Sequence, residues 1–232
     1  RPTPTPASPS PQPVATHTQS VSPTDAQIAT QPPGTPVPSA EITPLKPSAI
    51  PTALTVTPVG GSEQIAFASN RSGSMQIWLM NSDGSRLEQI TNIPNGACQP
   101  NWSPDGKKLA FISPCLNKSD SGYPGGRIFI INADGTDLQA LPIPLNPEGD
   151  YDPAWSPDGK RIAYTSIISA KQQILVFSFD DKVSINLSNS RFNDYSPAWS
   201  PSGKMLTFVR QSLGAQIYLM GDHGENPVQF NL

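Results

Sequence analysis

The groups in this chain with the most chemistry to offer are carboxylates set beside phenols. Asp150-Tyr151-Asp152 and Asn193-Asp194-Tyr195 each put acids next to an aromatic ring, and Tyr123 lies in the Gly-rich stretch 113–126. Such a cluster suits recognition, because a ring anchors a partner through buried area while a carboxylate selects cationic or hydroxyl-rich groups. It does not suit hydrolysis. A nucleophile needs a base beside it, yet the histidines are His17, in a proline-rich stretch, and His223, in a tight turn, and no Gly-x-Ser-x-Gly elbow occurs. Two cysteines, Cys98 and Cys115, and two distant histidines cannot assemble a tetrahedral zinc site, and the Asp-Gly turns lack the alternating oxygen ligands of a calcium loop. No catalytic residue, metal or cofactor is therefore assigned. The competing reading of the carboxylates is that they cap loop backbone amides.

What must position these groups is a repeat. Pro100-Asn101-Trp102-Ser103-Pro104-Asp105-Gly106-Lys107 returns as Pro153-Ala154-Trp155-Ser156-Pro157-Asp158-Gly159-Lys160 and as Pro197-Ala198-Trp199-Ser200-Pro201-Ser202-Gly203-Lys204, with tryptophans about 53 and 44 residues apart. That period belongs to supersecondary units that bury their apolar faces only by stacking on copies of themselves. Ser-Pro-Asp-Gly is hairpin chemistry: Pro presets φ at the second turn position, Asp suits the third, and Gly takes the left-handed residue that follows. A short β-branched and aromatic run comes after each phrase, at 109–112, 162–165 and 206–209, with a fourth copy at 65–68. A second run follows at 76–80, 127–131, 173–177 and 216–220, and its unbroken apolar character implies burial on both faces. These runs end in Asp-rich turns. A last weak strand comes after them, carrying Pro142 in one copy and so fit only for an edge.

Each unit therefore reads as four antiparallel strands with the Trp phrase in the first, and the fold class as all-β, a β-propeller. The blades fall at about 52–93, 97–143, 150–188 and 194–232. The pattern resembles the TolB-type propeller family, whose repeat is recognised by Pro-x-Trp-Ser-Pro-Asp-Gly-Lys, an Ile-Ala-Phe strand and an Ile-Tyr-x-Met strand ending in Asp-Gly. The resemblance covers about residues 52–232 and implies a ring usually of six or more blades, so the four visible here read as a small ring or as part of a larger one. It also implies a protein-binding platform in the bacterial envelope. The first unit departs from the pattern, with Thr55-Val56-Thr57-Pro58-Val59-Gly60-Gly61 standing as a degenerate first strand.

Placed on blades, the chemistry-bearing residues gather at one end. Cys98 begins an inner strand and Cys115 follows its hairpin partner, which makes them neighbours, either as a disulfide of an oxidising compartment or as two buried thiols. The tryptophans read as packing between blades. Strand alternation puts Asp150 and Asp152 on one side and Tyr151 on the other, near the channel mouth. The expected binding face thus carries Tyr123, Asp150, Tyr151, Asp152, Asp194 and Tyr195 with the connections 113–126 and 144–150, opposite a face of short uniform turns.

Residues 1–51, rich in Pro, Thr and Ser, cannot make a core and read as a disordered stalk. At about 3.1 Å per residue it spans roughly 150 Å when extended. The net charge is −3 with no basic stripe, which excludes a nucleic-acid partner. No apolar run approaches the roughly 20 residues of a membrane span. The first residue is Arg, so a signal or anchor is expected upstream of Arg1. The reading is a non-enzymatic extracytoplasmic bacterial module that binds a protein, peptide or glycan, or the sensor ectodomain of a membrane receptor or Ser/Thr kinase. The alternative is the gating propeller of a prolyl-oligopeptidase-like serine hydrolase, whose elbow and histidine would lie beyond Leu232.

Overall fold

The computed structural model describes residues 63–115 and 122–230; the Pro-rich stretch 1–51 and the first strand expected at 55–61 lie outside them. Among the described residues there are strands and turns but no helix, and so none long and apolar enough to cross a membrane. The first sheet holds β1 (Gln64–Ser69), β2 (Gln76–Asn81) and β3 (Glu88–Gln89). The second holds β4 (Cys98–Trp102), β5 (Lys108–Ser113), β6 (Arg127–Asn132) and β7 (Gln139–Ala140). In the third are β8 (Asp150–Trp155), β9 (Arg161–Ile168), β10 (Lys171–Ser178) and β11 (Val183–Asn186), and in the fourth β12 (Asn193–Trp199), β13 (Met205–Gln211), β14 (Ala215–Gly221) and β15 (Val228–Gln229). Every pairing is antiparallel between chain neighbours, as the repeat demands.

The turns form for the reasons their residues suggest. Ser103 donates its hydroxyl to Asp105 at 2.7 Å and accepts the Lys108 amide at 2.9 Å, while Gly106 takes φ 67°. That hydroxyl holds the Asp105 carboxyl below the usual carboxylate range. Ser156 and Asp158 repeat the arrangement, and in the third copy the Ser200 and Ser202 hydroxyls meet at 3.2 Å instead.

Strand alternation fails at one repeated place. The residue before each proline of the Trp phrase is left-handed, with φ 56° at Gln99, 52° at Asp152 and 54° at Ser196, and the register to the next strand slips there in all three sheets. Proline disfavours the α region for the residue before it, and a bulge absorbs the extra residue. The expected sharing of one side by Asp150 and Asp152 is lost at this bulge.

The second and third sheets are each sandwiched between neighbours, which is why Leu109, Ala110, Phe111 and Ile112 are all fully buried. One apolar cluster joins the first and second sheets around Ile77, Leu109 and Phe111. A second joins the second and third around Ile112, Ile128, Ile162 and Phe177, and a last one joins the third and fourth around Ala163, Ile174, Leu206 and Phe208. Each tryptophan of the repeat packs at the joint its blade makes with the preceding one. At the last joint Trp199 donates its indole N–H to the Ala154 carbonyl at 3.1 Å, and Arg161 lies 4.5 Å over its ring while bonding Asp222 and Gly203. No comparable packing among the described residues joins the fourth sheet to the first. The consequence shows at one repeat position: Ile77, Ile128 and Ile174 are 0%, 1% and 0% exposed, but Ile217 is 50% exposed.

Cys98 and Cys115 form a disulfide across a separation of 17 residues, with Cα atoms 5.8 Å apart. Chain unfolded without reductant after isolation from an oxidising compartment should therefore show no titratable thiol. Two thiols per chain would mean the pair is kept reduced there.

Candidate functional site

The end of the sheets opposite the Ser-Pro-Asp-Gly turns is built by connections that differ from blade to blade. Two of them lock together at the entry to β8. Asp150 donates its amide to the Gly126 carbonyl and Gly125 donates to the Pro147 carbonyl, both at 2.9 Å. Gly149 makes this approach possible: its φ is 108°, and a Cβ there would stand 2.1 Å from the Tyr123 carbonyl oxygen. Elsewhere a glutamine does the work. Gln76, 1% exposed, donates to the Ile93 carbonyl at 2.8 Å and accepts from the Ile93 amide and the Thr91 hydroxyl. Gln173, 3% exposed, serves the loop at Ser190 and Phe192 in the same way. Sequence reasoning passed over these glutamines, although the recurring Gln-Ile that opens the runs at 76, 173 and 216 is the signal that marks them.

Of the six residues singled out from sequence, Tyr123, Tyr151, Asp152 and Tyr195 lie within electrostatic reach of one another, while Asp150 and Asp194 are buried in hydrogen-bonded settings of their own. Tyr151 is 3% exposed, packs against Tyr123 with ring centroids 5.7 Å apart, and accepts a hydrogen bond from Gln172 at 2.8 Å. Burial, reinforced by the Asp152 charge, pushes its phenol up to about 12, and burial raises the Tyr123 phenol too. Both are neutral hydrogen-bonding rings at physiological pH. Tyr195, in β12, is half-buried. Asp152, turned by its bulge, joins three blades: Gln99 donates its side-chain amide to Oδ1 and Ser196 its hydroxyl to Oδ2, the latter at 3.0 Å. The Asp152 amide in turn donates to the Gln99 side-chain carbonyl at 2.9 Å.

Asp194 is fully buried and belongs to the framework. Arg210 donates to both its oxygens, at 2.7 and 2.8 Å, and Ser190 adds a third bond at 2.7 Å. That carboxylate raises the affinity of the guanidinium for its proton still further. Asp150, 3% exposed, is less complete. Ser166 donates to Oδ1 at 2.6 Å and Asn146 at 3.1 Å, and burial pushes the carboxyl above its ordinary value despite both bonds. It lines a groove of about 730 Å³ between the 142–148 connection and the third sheet, with Tyr164, Ser166 and Leu175 on the walls. Leu145, Ile168 and Val183 also line it and are 72%, 40% and 49% exposed, an apolar rim open to solvent.

The turn face is less uniform than its sequence suggests, since it holds a cleft of about 420 Å³ lined by Trp155, Phe179, Asp105, Asp137 and Asp158. Its acids already have partners: Asp105 and Asp158 bond their own turns, and Asp137 pairs with Lys108 at 3.5 Å. Among the described residues no three His, Cys, Asp or Glu side chains come together as a metal site.

No family model matches the chain. An uncharacterized protein of Agrobacterium fabrum is 36% identical over 104 residues, which are 43% of this chain and 35% of that protein. The Tol-Pal system protein TolB of Alcanivorax borkumensis is 31% identical over 115 residues, 48% of this chain and 25% of its own length. A solved structure described as TolB, from Agrobacterium tumefaciens, aligns with a TM-score of 0.60 at 24% identity, covering 72% of this chain and 60% of that one. At that identity the likeness speaks for fold alone. The chain spans about a third or less of the length of these curated relatives.

Proposed function

We propose that this chain, a member of the TolB-type β-propeller family, is an extracytoplasmic module of the bacterial envelope that binds a protein partner without catalysing a reaction. Binding takes place on the face where the connections differ from blade to blade. One observation carries this reading. On that face an exposed apolar rim, at Leu145 and Ile168, adjoins a buried carboxylate that forms no ion pair among the described residues. Rigid sheets carrying unlike loops are a common platform for recognition. The relatives named as TolB agree with the resemblance carried by the repeat, which implies an envelope setting and a protein partner, and the disulfide suits an oxidising compartment. The histidine of the described residues, His223, is 81% exposed in a turn beside Asp222, a poor place for a general base.

The test is capture of a partner from bacterial envelope extract on the immobilised chain, followed by titration of the purified pair. Leu145→Asp combined with Leu213→Asp, both on exposed tips of this face, should weaken the complex at least tenfold, whereas Asp134→Arg on the turn face should leave it unchanged. The reverse pattern moves the interface to the other face and overturns the assignment.

A further inference from the structure

The third and fourth sheets carry one device at the same repeat position, complete in one and incomplete in the other. Asp150 and Asp194 stand at the same distance before the tryptophans of their inner strands and are 3% and 0% exposed. In the loop before each, Asn146 or Ser190 donates to the carboxylate. Across the strand pair the registers are Asp150 with Ser166 and Asp194 with Arg210, and here the sheets part company. Arg210 spans both oxygens of Asp194 and lies over Phe208, Tyr218 and Phe192 at 5.3, 4.7 and 5.5 Å. Ser166 reaches only Oδ1 of Asp150. Oδ2 accepts no hydrogen bond among the described residues, yet it is not one of the polar atoms sealed from solvent. The residues matching Phe208, Tyr218 and Phe192 are Tyr164, Leu175 and Glu148, and all three line the groove beside Asp150 and Ser166. The part of the groove beside Asp150 and Ser166 is thus the room that an arginine side chain fills one sheet later.

We propose that this groove binds the side chain of an arginine presented by a partner protein, whose guanidinium takes against Asp150 the place that Arg210 takes against Asp194. The proposal deepens the binding-module reading and rests on it for the source of the arginine. A carboxylate buried without a cation is costly, and a guanidinium that arrives with its own hydrogen bonds removes that cost. Leu145 and Ile168 offer apolar surface for the methylene stem, and Glu148 adds a second negative charge where the fourth sheet has a ring. Among the described residues the cations nearby are Arg127, which acts on Asp150 through its charge without forming an ion pair, and Lys182, on the groove wall.

The test titrates the full chain, followed by amide shifts, with the peptide acetyl-Leu-Arg-Leu-amide, its citrulline counterpart and free butylguanidinium. Citrulline keeps the shape and removes the charge, so the arginine peptide should bind at least tenfold more tightly than the citrulline one. Asp150→Asn keeps an oxygen for Ser166 and Asn146; it should abolish that difference without lowering the melting temperature. Ser166→Arg should supply the cation from within, raising the melting temperature and blocking the peptide. Equal binding of the two peptides, or a preference that survives Asp150→Asn, overturns the site. Butylguanidinium binding as tightly as the arginine peptide overturns its assignment to a protein partner. Discrimination between the peptides can hold while partner capture on the face fails, and the reverse, so the two readings fall separately.

Discussion

Ile174→Ala should lower the unfolding free energy by about 2–5 kcal/mol and Ile217→Ala by roughly 1 kcal/mol or less, although both residues hold the same place in their blades. Ile174 is completely buried at the joint between the third and fourth sheets, so truncation leaves a cavity between packed faces as well as losing transfer energy. Ile217 is 50% exposed, and much of its side chain stays in water in the folded state. Urea unfolding of the two variants, compared at unchanged m-value, gives the difference directly. Equal losses would show that something covers the fourth sheet in solution, as a further blade or a second copy would.

Asp194→Ala should cost about 3–5 kcal/mol, because it strands the Arg210 guanidinium, itself 8% exposed, without its counter-charge. Replacing the pair together, Asp194→Ala with Arg210→Leu, should recover a large part of that loss, since two well-packed apolar groups leave no buried charge behind. Thermal melts of the single and double variants measure the coupling. A single variant that melts like the parent would return Asp194 to the list of groups free to meet a ligand.

The blades were legible because their signals are local. The Ser-Pro-Asp-Gly turn, the apolar runs and the spacing of Trp102, Trp155 and Trp199 each report on a few consecutive residues, and all agree. The carboxylates were legible as polar groups at a functional-looking end but not by role. Alternation assigned their sides, and the left-handed residue before each proline broke that alternation at Gln99, Asp152 and Ser196. Whether a buried acid is neutralised depends on the residue facing it across the strand pair, Arg210 in one sheet and Ser166 in another. That partner lies sixteen residues away in sequence and is identified only once the register is known. The groove is harder still to read, being an absence: it appears when Ser166 and Leu175 are matched with their larger counterparts, Arg210 and Tyr218.

A row of stacked units ordinarily passes influence only from neighbour to neighbour. Asp152 provides a second route. One of its oxygens is committed to Gln99 in the second sheet and the other to Ser196 in the fourth, so two sheets with no common joint share a single carboxylate. Oδ2 also accepts the Thr165 hydroxyl at 3.4 Å, so side chains from three consecutive blades meet at one acid.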